Sequence, residues 1–365
     1  MIINEITAAG TSIWLDDLSR AKITGTDAFS LPSRIKNSGV VGVTTNPSIF
    51  NSAITGSADY AADIASMRSH SPEEIVKKLT TDDVRRACDL FADIYSQSSG
   101  IDGRVSIEVD PRFAHQTSAT IDEGKSLWDV VNRSNLMIKV PATIEGLPAI
   151  TELIASGISV NVTLIFSCQR YEQVIDAFIS GVEEAFKRGH DVSKIHSVAS
   201  FFISRIDTAV DQQLKALNTQ QSLDLLGQAA IANAVLAYEL FLLKSSSARW
   251  TKLRDAGAQM QRPLWASTGV KDPAYDDTRY VMDLIAANTV NTMPQSTLDA
   301  VIDHGKFHGD TITPAIEKSH ACLAALVKIG ISLNDITDQL ERDGVASFAK
   351  AWQALLNDVD RVRSA

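Results

Sequence analysis

Eight short segments rich in β-branched residues recur along this chain, separated by longer amphipathic stretches, with no low-complexity tract or Pro/Gly/Ser-rich linker between them. They are Ser12–Asp17, Val40–Asn46, Val105–Asp110, Leu136–Pro141, Ile158–Phe166, Ser197–Ile203, Pro263–Thr268 and Thr289–Met293. Strands separated by helix-length crossovers pair in parallel, and parallel sheets are covered on both faces. The pattern predicts an α/β fold, a (β/α)8 TIM barrel, with an open doubly wound sheet as the alternative. One barrel over residues 1–365 is expected, with a helical insert over 51–104 after the second strand and C-terminal helices over 311–365 packing on it.

The helical stretches carry their own punctuation. Ser71-Pro72-Glu73-Glu74 reads as a capping box with proline at the first helical position, and Val84, Cys88, Phe91 and Tyr95 follow at helical spacing. Glu152–Ser156 stops at Gly157, a C-cap before the fifth strand. Tyr171–Phe186 and Leu223–Leu243 read as further helices, and Asp335–Val362 as a pair broken near Gly344.

Side chains along a strand alternate between two faces. In the first segment Ile13 and Leu15 oppose Trp14 and Asp16; in the second Val41 and Val43 oppose Gly42, Thr44 and Asn46. Val105, Ile107 and Val109 oppose Ser106, Glu108 and Asp110; Leu136, Ile138 and Val140 oppose Met137 and Lys139. Val160, Val162 and Leu164 oppose Asn161 and Thr163. In a barrel the polar face points inward, and its C-terminal end is where barrel enzymes hold their chemistry. Asp16, Asn46, Glu108, Lys139, Asn161 and Thr163 are thereby aimed at one volume. A half-wet antiparallel sheet accounts for any one of these strands, but not for five in succession joined by helices.

Lys139, set between Ile138 and Val140, is the least expected of these residues, since lysine is almost never fully buried unless paired. It reads as a strand-end lysine reaching for solvent, as half of a structural pair with Glu108, or as a nucleophile. The third reading has a chemical basis. Burial disfavours the charged form of an amine, and only the neutral form attacks a carbonyl.

Composition narrows the partners. A net charge of −10 opposes a nucleic-acid or membrane-surface role, while leaving room for a small anion that needs only a few local cations. No apolar run reaches the roughly 18 residues of a membrane span, and Met1 to Gly10 lacks the form of a signal peptide. Cys88, Cys168 and Cys322 are scattered and odd in number, which fits a reducing cytoplasm without a disulfide framework. His304, His308 and Asp310 lie in a Gly-bearing segment read as a loop, so no metal site is expected there. No glycine-rich nucleotide-binding turn is present.

Gly42-Val43-Thr44-Thr45-Asn46-Pro47-Ser48 resembles the first signature of the transaldolases, and Leu136-Met137-Ile138-Lys139-Val140-Pro141-Ala142-Thr143, continuing to Glu145-Gly146, resembles the second. Trp14-Leu15-Asp16-Asp17, Ser106-Ile107-Glu108-Val109-Asp110, Asn161-Val162-Thr163 and Ser200-Phe201-Phe202 also follow the family's order, so the resemblance runs from about Ile13 to Met293. It implies a cofactor-free transferase of the pentose phosphate pathway. Such an enzyme moves a dihydroxyacetone unit from a ketose phosphate (sedoheptulose 7-phosphate or fructose 6-phosphate) to an aldose phosphate (glyceraldehyde 3-phosphate or erythrose 4-phosphate). Lys139 would form the imine, Asp16 would handle the C4-hydroxyl proton, and Glu108 with Thr163 would hold a proton-shuttling water. Asn46, Asn161 and Ser200 would bind the hydroxyls of the retained unit beside Phe202. Parity favours Asp16 over Asp17 for its role. Arg205 matches a phosphate-binding arginine, with Ser267 nearby; where many members have a second arginine, this chain reads Thr268-Gly269-Val270-Lys271, and Lys271 is either its substitute or a solvated loop lysine. The partners implied are sugar phosphates, neither nucleic acid nor membrane, with the protein a monomer or homodimer. The alternatives are a fructose-6-phosphate aldolase, which the resemblance associates with tyrosine where this chain has Phe202 and with shorter chains, and a non-catalytic sugar-phosphate-binding barrel.

Overall fold

The computed structural model describes residues 2–55 and 57–364. Its eight strands are β1 (Thr11–Leu15), β2 (Gly42–Val43), β3 (Arg104–Glu108), β4 (Leu136–Pro141), β5 (Val160–Ile165), β6 (Ser197–Phe202), β7 (Arg262–Ala266) and β8 (Thr289–Met293). They pair in parallel in sequence order, and β1 closes on β8. This is a (β/α)8 barrel, and the open-sheet alternative is excluded. Helices cover the outside, where the apolar faces predicted from parity (Ile13, Val43, Ile107, Ile138, Val162) are buried.

The inward faces stack in layers. At the N-terminal end Asp102 accepts from Ser12 (2.9 Å), Trp14 Nε1 (3.4 Å) and Arg262 (3.0 Å). Arg104, fully buried beside them, donates to Gly100 O and Ser159 Oγ and lies over the Tyr95 ring. Trp14 fills the middle of the barrel. Gly42 faces it across the β1–β2 pair, where a Cβ would lie 2.5 Å from the indole. The C-terminal end of the inward face holds the polar residues described below.

Three sequence expectations change. The second strand is two residues long, not Val40–Asn46, although Val41 N still bonds Ile13 O and Thr44 N bonds Leu15 O. It stops because the Asn46 side chain accepts from Ile49 N and Pro47 opens the helix Pro47–Thr55. Leu223–Leu243 is not one helix. It breaks between Gln220–Leu223 and Ala229–Ser245, at a turn where Gly227 adopts φ +67° while Asp211 binds its N–H and Asp207 binds Ala230 N. The C-terminal pair is in fact one helix of 32 residues, Leu333–Ser364. Gly344 does not break it: the glycine is buried against β5, where a Cβ would sit 3.0 Å from Leu164 Cδ2 and 3.7 Å from Arg205 Nη1. A missing side chain there marks close approach, not a turn.

The capping box at Ser71 is formed, with Glu74 returning the bond to Ser71 N, and opens the helix Pro72–Leu90. Between β2 and β3 that helix is joined by Pro47–Thr55, Ala61–Ser66 and Ala92–Gln97. Gly42→Ala should cost about 1–3 kcal/mol of stability by forcing a methyl into the Trp14 ring, read as a lower urea midpoint with the cooperativity of unfolding unchanged.

Candidate active site

Strand register builds the site. Glu108 is the partner of Lys139 across β3 and β4, and Lys139 the partner of Asn161 across β4 and β5, so the three stand in one row on the inward face. Lys139 is 4% exposed and Glu108 7%, which settles that neither side chain reaches for solvent. Lys139 Nζ donates to the Thr45 carbonyl at 3.0 Å and lies 3.4 Å from Glu108 Oε2. That contact is an ion pair at long range; both Glu108 oxygens, and the Oγ1 of fully buried Thr163, lack a hydrogen-bond partner among the described residues. Buried polar groups left in this state are rare and mark places where something else is to be bound. Burial pushes the Glu108 carboxyl up to about 7, against the opposing pull of the Lys139 charge.

Asp16 follows β1 and is partly buried. It accepts from Thr44 Oγ1 at 2.6 Å, and Thr44 is itself within 2.7 Å of Thr292 Oγ1. Burial raises the Asp16 carboxyl above the usual range, with the Lys139 charge the largest opposing influence. Asp17 turns to Lys22 at 2.9 Å instead. On β5 and β6, Ser200 Oγ donates to Asn161 Oδ1 at 2.7 Å while Asn161 Nδ2 donates to Ser106 Oγ at 3.0 Å, which fixes the amide orientation. Asn46 lines a cavity of about 240 Å³ together with Glu108.

Phe202 and Arg205 form the other flank. The Phe202 ring packs on Phe166 at 5.1 Å, and the Arg205 guanidinium lies 5.4 Å from its centroid. Arg205 is partly buried, and burial pulls its pKa down; its opposing charge is Asp343 on the C-terminal helix. Ser267 Oγ is 3.0 Å from Ser204 Oγ, at the start of the helix that carries Arg205. Two non-glycine residues here hold left-handed backbone: Ser267 (φ +56°) and Leu164 (φ +60°), the latter where the β5–β6 register shifts. Each costs roughly 1–2 kcal/mol, a strain that concentrates at functional sites. Lys271 is exposed and lines a surface cleft of about 510 Å³ with Ser204, Asp207, Lys215 and Tyr275. His304 bonds Asp277 (2.8 Å) and Asp303 (3.1 Å) on the surface, while Asp310 accepts from the backbone of Ile312 and Thr313.

Residues 13–359 match the family described as Transaldolase/Fructose-6-phosphate aldolase. The chain belongs to this family. Among curated relatives, it is 54% identical to a protein named Transaldolase from Arthrobacter sp. (strain FB24), over 98% of this chain and 96% of the relative. It is 51% identical to Transaldolase 1 of Streptomyces coelicolor, over 98% and 94%, and 52% identical to the Transaldolase of Mycolicibacterium smegmatis, over 96% and 95%.

Several residues around Lys139 and Glu108 escape a reading of strand parity. Thr44 lies on the right face but carries no charge to flag it, and the Thr45 contribution is a backbone carbonyl. Phe348 and Trp352 come from the last helix. The one available signal for them was the spacing Gly344, Phe348, Trp352, a single helical face at every fourth residue.

The Glu108 shift has a sign that can be measured. A carboxyl raised from 4.5 to about 7 on folding contributes stability that is fully present below about 4.5 and lost as pH rises through 7. Glu108→Gln removes that loss, so the wild type should fall relative to the variant by about 3 kcal/mol between pH 4.5 and 8. Urea unfolding at both ends of that range tests it, and a pH-independent difference between the two proteins would contradict it.

Proposed function

We propose that this chain is a transaldolase, moving a dihydroxyacetone unit from sedoheptulose 7-phosphate or fructose 6-phosphate to glyceraldehyde 3-phosphate or erythrose 4-phosphate in the pentose phosphate pathway. The observation that carries the reading is the buried Lys139 amine facing Glu108 at 3.4 Å on the inward face of the barrel. Lys139 attacks the ketose C2 carbonyl. The protonated imine then accepts the electron pair freed when the C3–C4 bond breaks. Glu108 and Thr163, with free hydrogen-bonding capacity, hold the water that carries protons as the carbinolamine forms and dehydrates. Asp16, raised by burial and braced by Thr44, takes the proton of the C4 hydroxyl and returns it to the acceptor's oxygen.

Asn161 and Ser200, ordered by their mutual bond, and Asn46 at the cavity wall bind the hydroxyls of the three-carbon unit. Arg205 is the main phosphate contact, since its nearest opposing charge, Asp343, forms no salt bridge with it and its guanidinium is held against Phe202. Ser267 adds a hydroxyl. Lys271, in its exposed cleft, contributes charge at longer range. Phe202 supports transfer over simple aldol cleavage because it offers no phenol to organise a protonating water. No cofactor enters this scheme. We place the enzyme in the cytoplasm as a monomer or homodimer with residues 1–365 forming one unit; no single helix among the described residues is long and apolar enough to cross a membrane.

Borohydride reduction in the presence of fructose 6-phosphate should add a dihydroxyacetone-derived mass to the peptide containing Lys139. Lys139→Ala should keep its fold by circular dichroism and lose the adduct; an adduct on another lysine overturns the assignment. Arg205→Ala should raise KM for phosphorylated donors by about 10–100-fold, the loss of a charge-assisted contact worth roughly 1.5–3 kcal/mol. Its kcat/KM for unphosphorylated dihydroxyacetone donors should stay within a few-fold of the wild type.

A further inference from the structure

The C-terminal helix Leu333–Ser364 crosses the mouth of the barrel. It packs on the helix after β2, the turn Pro111–Phe113 after β3, strand β5 itself, and the helix after β6. Both ends are tied down: Glu341 pairs with Arg170 at 3.2 Å, and Arg363 donates to His70 O at 2.8 Å. One face of it, repeating every fourth residue, looks into the site. Gly344 lets the backbone settle on Leu164 and Arg205. Phe348, 4% exposed, holds its ring centroid 5.8 Å from Lys139 Nζ. Trp352 lines the cavity that reaches Glu108 and Asn46, with its Nε1 buried and unpartnered among the described residues.

This arrangement sorts water. The Glu108 side of the mouth opens into a cavity whose walls carry charged groups, among them Glu73, Lys77 and Arg112, beside apolar ones, whereas the Lys139 side is roofed by a hydrocarbon ring. At 5.8 Å the ring is near enough for van der Waals contact with carbons bonded to the amine. The three-carbon unit on Lys139 would lie against that ring.

We propose that Phe348 is a specificity-determining roof residue, which decides whether the enamine on Lys139 reacts with an aldehyde or with water. The inference rests on the transaldolase reading above. In transfer, the enamine carbon forms a carbon–carbon bond with the acceptor carbonyl, whose oxygen gains a proton. In the competing leak, the same carbon takes a proton from water, and imine hydrolysis then consumes one water to free dihydroxyacetone and the Lys139 amine. A closed apolar roof suppresses the leak by excluding water from the carbon while leaving the water at Glu108 in place.

The test compares wild type, Phe348→Ala and Phe348→Leu, with fructose 6-phosphate as donor. Three quantities are read: the borohydride adduct on Lys139, the rate of transfer to erythrose 4-phosphate, and the release of free dihydroxyacetone without acceptor. Alanine keeps the helix propensity while opening the roof. Phe348→Ala should still trap the adduct and raise the ratio of release to transfer by about tenfold or more. Phe348→Leu, which keeps an apolar cover, should return most of the way to the wild-type ratio. An unchanged ratio in Phe348→Ala with the adduct intact overturns the roof and leaves the transaldolase reading standing. Absence of an adduct in the wild type sinks that reading itself. Should Phe348→Ala fail to fold, Phe348→Val decides, since it still removes the ring from above Lys139 but leaves a smaller cavity. A raised ratio there supports the roof, and an unchanged ratio overturns it.

Discussion

A lysine and a glutamate share a buried barrel mouth at 3.4 Å, and neither is fully satisfied by the other. Such a pair is a poor way to stabilise a fold, because an apolar pair of similar volume is often as stable or better, and losing one partner strands the other. Its retention makes sense as chemistry. The rest of the structure is arranged around keeping the pair buried and aligned. Register brings Glu108, Lys139 and Asn161 into a row, the Thr45 carbonyl fixes the amine, and Trp14 fills the barrel beneath.

The two ends of the barrel divide the labour. At the N-terminal end Asp102 gathers Ser12, Trp14 and Arg262 into one bonded group, and both of its carboxylate oxygens are occupied. At the C-terminal end the acceptors on Glu108 are open and two residues carry left-handed backbone. Satisfied polar groups rigidify; unsatisfied ones bind.

Parity makes much of this legible in the sequence. A period of two is a strong signal when one face is wholly apolar, so the shared inward face of Glu108, Lys139 and Asn161 can be read there, as can the barrel in the eight-fold alternation. The sequence leaves Lys139 three meanings, and its burial removes one of them. What parity misses is whatever a strand does not carry. The Thr45 contact uses a carbonyl, which every residue has. The placing of Lys271 in an exposed cleft depends on how a loop folds beyond the end of β7, where no periodicity operates.

Gly344 shows why the roof in particular was hidden. Within a helical pattern, a glycine costs about 1 kcal/mol relative to alanine and is ordinarily a sign of an ending. Here that cost is offset by contact with a different part of the chain: the space a Cβ would need is filled by Leu164 of β5 and by Arg205. Leu164 occupies its position because β5 is bulged, with a backbone conformation that side chains rarely take. A strained strand and a bare helix thus fit each other, and the fit carries Phe348 over Lys139. Neither anomaly has an explanation within its own element; together they define the distance between the roof and the amine.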